Sequence, residues 1–302
     1  MALRMGGRRA TSADIRKLAR GRVDNALDAL RDSSEPHVSV HRARKCFKEM
    51  RAILRLFRPA LGRRTVRFEN AWYRDQARAL AGFRDAQAVI ETVEALEKSV
   101  ELPAQQDALR ACRHTLAVRR DRIAEEGDDL ASSVAQLIEE LEAARQRIGR
   151  WPMKADGADA AVGGFERCYK RGARTLRACH PAGDADSWHA WRKRVKDYWY
   201  HVQILHPLWP PVMKALQGEL KTLADLLGDD HDLTVLDALL QSELEQLAAE
   251  HRQQIHDMIG RRHAALRVPA LRLGLRLYVD RPETVSRRIR GWWDVWREES
   301  AS

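Results

Sequence analysis

The sequence predicts an all-α protein, and three observations carry that expectation. Ala, Leu, Arg, Glu, Lys and Gln dominate the composition, and these are the residues that lose least on entering a helix. Alternation of β-branched and polar residues, the mark of a half-buried strand, is nearly absent. All ten prolines fall where an apolar period of 3.6 breaks off or restarts. With 302 residues, 44% of them hydrophobic, the chain can bury a sizeable core. It can do so as one large domain or as two bundles of about 100–150 residues each.

Taken in order, the periodicity places helices at 12–31, 37–57, 65–98, 104–126, 128–148, 160–179, 186–206, 210–227, 232–265, 269–279 and 283–298. Start signals stand at Ser12, at Ser187 and at the pair Pro282–Glu283. Between Trp151 and Gly164 the stretch WPMKADGADAAVGG lacks bulky apolar residues and is rich in Gly and Ala. It reads as a linker over 151–164, with an N-terminal helical bundle over 1–150 and a C-terminal one over 165–302.

A linker near the midpoint suggests duplication, and the two halves support it. An offset of 148 places His41 on His189, Arg44 on Arg192, Lys45 on Lys193, Lys48 on Lys196 and Glu49 on Asp197. The shared pattern is H-x-x-R-K-x-(F/V)-K-(E/D). An offset of 147 then aligns Arg67 with Lys214, Arg74 with Lys221, and LAGFRDAQAV from Leu80 with LGDDHDLTVL from Leu227. Asp85 thereby meets Asp232. Two matches in the same order make duplication the better account.

On a helical wheel, Arg44, Lys45, Lys48, Arg51 and Arg55 all fall within about 80° of His41 at 100° per residue. Cys46, Phe47, Met50, Ile53, Leu54 and Phe57 occupy the opposite arc. In the second copy His189, Arg192, Lys193 and Lys196 take the polar angles, while Val195, Tyr198, Val202 and Leu205 take the apolar ones. Each helix therefore buries one stripe and presents a row of cations. Such a row can be merely a solvated face. A solubilising face, however, interleaves Glu with Lys or Arg at i and i+4, whereas Arg44–Lys48 and Arg51–Arg55 are like-charged at that spacing. Each such pair costs about 0.2–0.5 kcal/mol. Residues 41–84 hold thirteen Arg or Lys against three Asp or Glu, a surplus equal to the +10 net charge of the whole chain. An excess so localised points to a binding surface for a polyanion: nucleic acid, an acidic membrane surface or a phosphate polymer.

Other classes find less support. Cys46, Cys112, Cys168 and Cys179 show no CxxC spacing and read as small buried hydrophobes of a reducing compartment. No run of eighteen apolar residues predicts a transmembrane helix. The basic start, MALRMGGRRATSADIRKLAR, lacks the apolar core of a secretory signal, so a cytoplasmic protein is expected. Asp229, Asp230, His231 and Asp232 resemble a metal cluster, yet successive helical residues point in different directions. An acidic helix N-terminus is the cheaper reading of them. No Ser-His-Asp or Cys-His set, HExxH or phosphate loop is present, so no enzyme, cofactor or metal is expected. In the C-terminal RRIRGWWDVWREES, Ile289, Trp292, Trp293 and Trp296 share a side flanked by Arg287, Arg288 and Arg290. Packing on the bundle is expected there in preference to a membrane-surface anchor.

The segments HRARKCFKEMRAILRLF, HAWRKRVKDYWYHVQIL, LAGFRDAQAVI, LGDDHDLTVL and YKRGARTLRA from Tyr169 resemble the CHAD family, a conserved-histidine α-helical domain. The resemblance covers nearly the entire chain. It implies two four-helix bundles related by pseudo-twofold symmetry around a shared basic cleft. It also implies binding of inorganic polyphosphate and association with polyphosphate granules. Carried over residue by residue, it assigns phosphate contacts to His41, Arg44, Lys45, Lys48, Arg51 and Arg55, and to His189, Arg192, Lys193 and Lys196. Arg67, Arg74, Lys214 and Lys221, with Lys170 and Arg174, are secondary candidates. Some members carry a triphosphate tunnel metalloenzyme domain ahead of the helices. Neither its strands nor an E-x-E-x-K signature is found near the start, and a standalone helical module is expected.

The doubling is imperfect. Trp199 and Gln203 stand where the first copy has Arg51 and Arg55, and between His189 and Asp232 six basic residues meet six acidic ones. The first half is therefore expected to dominate affinity. Nucleic acid is the rival ligand, because the same cations would hold it and Trp or Tyr could stack on single-stranded bases. A polyanion beside His41 and His189 favours their charged forms. That predicts tighter binding near pH 6 than near pH 8, which salt-matched titrations at the two pH values check.

Overall fold

The computed structural model describes residues 3–5, 11–32, 35–80, 82–125 and 130–299. Among the described residues the chain is all-α: α1 (Ser12–Arg31), α2 (Pro36–Leu56), α3 (Arg58–Ala79), α4 (Gly82–Glu97), α5 (Pro103–Glu125), α6 (Leu130–Gly149), α7 (Gly157–Arg177), α8 (Ala185–Ile204), a 3₁₀ turn at His206–Leu208, α9 (Pro210–Ser242), α10 (Ala249–Leu277) and α11 (Pro282–Glu298).

Local chemistry explains the starts. α1 opens with a capping box in which the Asp14 amide donates to Thr11 Oγ1 at 3.3 Å and the Thr11 amide donates back to Asp14 Oδ2 at 2.9 Å. The cap is thus Thr11, one residue before Ser12. At α8 the cap is Asp184, whose Oδ1 accepts from the Ser187 amide at 2.7 Å, so Ser187 lies inside the first turn. Pro282 is the first residue of α11, where its missing amide costs nothing.

Several expected boundaries move: the expected helix 232–265 is broken between Ser242 and Ala249, and three further changes have a visible cause. The expected helix 65–98 divides into α3 and α4, and the Leu80 carbonyl at the division accepts from Arg44 Nη1 at 3.4 Å. The expected break between 227 and 232 does not occur. Leu223, Leu227, Leu233, Leu236 and Leu240 are all buried along α9, and that continuous stripe carries the helix through Gly228. Asp229–Asp232 are therefore mid-helix, not an acidic helix N-terminus. Likewise α10 continues through Pro269, because Leu266, Arg267, Ala270 and Gly274 are buried on both sides of it and tertiary packing overrides the one lost amide.

The segment expected as a linker over 151–164 is helical from Gly157 onward. Of its glycines, Gly157 opens α7 at φ 58° and Gly164 serves a close approach. A Cβ on Gly164 would lie 1.9 Å from the Leu56 carbonyl oxygen, so α7 meets the end of α2 backbone to backbone. Gly62 supplies the other special conformation, a kink inside α3 at φ 76°.

Helix pairings recur along the chain. The contacts α1–α2, α2–α3, α4–α5 and α1–α6 reappear as α7–α8, α8–α9, α9–α10 and α7–α11, with the single long α9 serving where the first half uses α3 and α4. The apolar residues form two clusters. One gathers α1, α2, α3, α6, α7, α8, the start of α9 and α11 around Phe47, Phe57, Trp188, Trp191 and Trp293. The other joins Val93 and Leu96 of α4, Leu109 and Cys112 of α5, Leu236 and Leu240 of α9, and Ile255 and Ile259 of α10. Both clusters draw on residues from before and after the 151–164 segment.

In α11, Ile289 and Trp293 are buried against α7, and Trp292 packs edge-on to Trp209 at 5.3 Å. This is helix-on-bundle packing. No described helix is long and apolar enough to cross a membrane. Cys46, Cys112 and Cys168 are buried and Cys179 is half-buried. Burial pushes the Cys46 thiol up to about 11 and Cys112 and Cys179 up to about 12, which suits packing residues better than nucleophiles.

Candidate polyanion-binding cleft

The apolar stripes fix which way the cations face. In α2, Cys46, Phe47, Met50, Ile53, Leu54 and Phe57 are all buried, and His41, Lys45 and Lys48 are exposed. In α8, Val195, Tyr198, Val202 and Leu205 are buried. The two helices pack against each other. Their crossing is pinned where His201 Nε2–H, fully buried, donates to the Ala52 carbonyl at 3.1 Å. Beside it, Arg55 Nη1 donates to Asp197 Oδ1.

At this crossing lies a cleft of about 170 Å³ lined by Lys48, Arg51 and Arg55 from α2 and by Arg192, Lys193, Arg194, Lys196, Asp197 and Tyr200 from α8. Six of the expected phosphate contacts meet here: Lys48, Arg51, Arg55, Arg192, Lys193 and Lys196. The lining carries seven cations and one carboxylate. Asp197 is itself buried and already engaged, with Arg194 Nη1 3.1 Å from its Oδ2 in addition to Arg55.

Charge in this cleft is held against resistance. Burial, then the adjacent Arg55, pushes Arg51 down to about 10. Burial is also the largest cause lowering Arg192. Lys193 is lowered by burial and then by Arg194, Arg192 and Arg51, and Lys196 by burial and then by Arg192. An anion in the cleft would favour the charged form of each.

The other expected contacts lie elsewhere. His41, Arg44 and Lys45 sit before the cleft on α2; His41 is seven residues before Lys48, or about 10 Å along a helix axis, and Arg44 about one turn before it. His189, near the start of α8, stacks on His231 of α9 with ring centroids 4.3 Å apart. Arg74 is bound to its neighbour Asp75 at 2.8 Å, and Lys221 to Asp225 at 2.6 Å. Lys214 lies toward the far end of α8, where its charge acts on His206 together with that of Arg4. Lys170 and Arg174 are exposed on α7, but their neighbour Arg171 is the residue that lines a groove with Arg55 and Arg67. Of the sixteen expected contacts six line the cleft, and the fields of Arg74 and Lys221 reach it at Arg51 and Lys196.

The field of Asp232 favours the charged forms of Arg192 and Lys196. The side chain of Asp85, its counterpart, lies outside the described residues. In the Asp229–Asp232 run, Asp230 is buried and holds His263 Nδ1 at 2.6 Å and Arg267 Nε at 2.7 Å. It is a structural anchor between α9 and α10. No group that could hold a metal ion is found among the described residues.

The pH expectation also needs correction. Burial, then Lys193 and Arg192, pushes His189 below its ordinary value, and the stacked His231 falls to about 3. Protonation of this pair, and any tightening of binding that comes with it, shifts to lower pH. In salt-matched titrations His189→Gln is therefore expected to leave the ratio of affinities at pH 6 and pH 8 unchanged, and a ratio that collapses in that variant would show that His189 titrates in this range.

Sequence reasoning missed Arg194, Asp197 and Tyr200 as lining residues. Arg194 falls in the apolar arc of the α8 wheel. The available signal was Asp197 three residues on, close enough to let Arg194 stay charged at a helix contact.

Fold and site together define an α-helical protein whose two repeat-related helices close on a cationic cleft. The family model described as "CHAD domain" matches residues 14–241, and the chain belongs to that family. Two solved structures share the fold. The crystal structure of the CHAD domain from the plant Ricinus communis superposes with a TM-score of 0.61 at 19% identity, covering 91% of this chain and 94% of that one. PptA from Streptomyces chartreusis gives a TM-score of 0.59 at 16% identity, covering 89% of this chain and 99% of that one. Among curated proteins no sequence matches.

Proposed function

We propose that the protein binds inorganic polyphosphate in the cleft between α2 and α8, without catalysing a reaction on it, and that through this binding it associates with polyphosphate granules in the cytoplasm. Membership of the CHAD family supports the ligand class. The single observation that carries the reading is the cleft lining of seven cations with one engaged carboxylate, their charges disfavoured by burial and by one another. Such a site is incomplete without an anion. A phosphate chain supplies charge at short, regular intervals and needs no reading head. Arg can hold two of its oxygens with one planar fork, while Lys follows variable geometry as a point charge.

Nucleic acid would satisfy the same cations, but the cleft offers it little more. Tyr200 is the one aromatic side chain in the lining, and it is 6% exposed, so bases have no face on which to stack. Competition tests this. Long-chain polyphosphate is expected to displace labelled single-stranded RNA from the protein at equal phosphate concentration and at physiological salt. RNA displacing polyphosphate under those conditions would overturn the ligand assignment.

A further inference from the structure

The cleft opens onto a second basic surface. A groove of about 630 Å³ is lined by Arg55, Arg58, Arg63, Arg64, Arg67 and Arg171 with Val66 and Asn70, and its lining contains no carboxylate. It is built by the end of α2, the first turns of α3 and the middle of α7. The Gly62 kink swings Arg63 and Arg64 onto the surface of α3, where both are exposed. The two surfaces are joined physically. Arg55 lines both, and Asn70 Oδ1 accepts from Arg51 Nε at 3.2 Å and from Arg55 Nη2 at 3.0 Å. The groove shares the electrostatic state of the cleft. Arg58 is lowered by burial, then by Arg167 and Arg63; Arg171 is lowered by burial, then by Arg194.

We infer that the groove is a second segment of one phosphate-polymer track, so that a chain seated in the cleft runs past Arg55 onto α3 and α7. This rests on the polyphosphate reading given above and adds the path and the length preference. A short anion fills the cleft alone. A long chain engages both surfaces, and its second set of contacts forms at the high effective concentration set by the first. The exposed aromatic beside the groove, Phe68, is 59% exposed but lies under the Arg147 guanidinium at 5.8 Å. Its remaining exposed surface makes single-stranded RNA a necessary competitor in the test.

The test compares tripolyphosphate, long-chain polyphosphate and single-stranded RNA on the full chain and on Arg63→Glu/Arg64→Glu. Two lost phosphate contacts are expected to weaken long-chain polyphosphate roughly ten-fold and to flatten the salt dependence of its binding, with tripolyphosphate affinity changing less than about two-fold. The milder Arg63→Gln/Arg64→Gln, which removes charge without reversing it, is expected to show the same pattern at reduced size and serves if the reversal perturbs folding. Unchanged long-chain affinity in both variants would overturn the track while leaving the cleft reading intact. A larger loss for RNA than for polyphosphate would assign the groove to nucleic acid and overturn it as well. Failure of the unaltered protein to bind any polyphosphate would instead sink the underlying reading.

Discussion

Lys48→Glu/Lys193→Glu is expected to weaken long-chain polyphosphate binding by at least roughly 100-fold. The two residues face each other across the cleft from α2 and α8. Each charged hydrogen bond to phosphate contributes about 1.5–3 kcal/mol, and reversal adds repulsion to loss. A 100-fold change corresponds to about 2.8 kcal/mol, which two contacts supply without help from distant fields. Both side chains are on the exposed side of their helices, so the melting temperature is expected to stay within a few degrees of the parent. The matched control is Arg272→Glu/Arg287→Glu, the same change of net charge at two exposed residues outside the cleft lining. It is expected to reduce affinity less than about three-fold at physiological salt, because a Debye length there is about 8 Å. Equal losses from the two double variants, measured by fluorescence anisotropy, would mean that overall charge and not the cleft governs binding.

Asp197→Asn is expected to lower stability and raise affinity at once. The carboxylate is buried, accepts from Arg55 and lies against Arg194, and its field favours the charged forms of Arg51 and Arg171. Removing one partner of a buried ion pair costs about 3–5 kcal/mol, and asparagine, which keeps one acceptor oxygen, falls at the low end. The cleft it leaves is more cationic, so polyphosphate binds it more tightly. Ligand at 100 times its Kd then returns about 2.7 kcal/mol of stability. Chemical denaturation with and without polyphosphate reads both signs. An Asp197→Asn protein as stable as the parent, or one that binds more weakly, would show that Asp197 is not the cleft's internal counter-charge.

Much of this organisation is visible in the sequence, and what is not has identifiable causes. The α2 and α8 stripes were legible because the apolar residues of each keep mostly to one arc while His41 to Arg55 and His189 to Lys196 supply cations on the other, so a single period settles most of the burial and exposure. α9 and α10 were not. Gly228 with two aspartates, and Pro269, are strong local breakers, and only the leucines packed beyond them show why the helix continues. The 151–164 segment misled for a related reason. Small residues permit a flexible linker, and they equally permit two helix backbones to touch, as Gly164 does at Leu56. At the site, the wheel identified the cations of the crossing but not how far along each helix the crossing extends. His41 and Arg44 share the polar arc of Lys48 yet stand before the cleft lining begins. Arg194 was invisible to the wheel because it is a charged residue in the apolar arc, held there by Asp197, which also accepts from Arg55. The groove residues Arg58, Arg63 and Arg64 carry no repeat signature, and a kink at one glycine aligns them.

The central claim is that cations from both helices hold one phosphate chain between them, and a crystal structure of the protein with polyphosphate addresses it most directly. The account predicts consecutive phosphates within hydrogen-bond distance of Lys48 and Arg51 on one side and of Lys193 and Lys196 on the other. Phosphates confined to Lys170, Arg174 or Lys214, with nothing between α2 and α8, would contradict it.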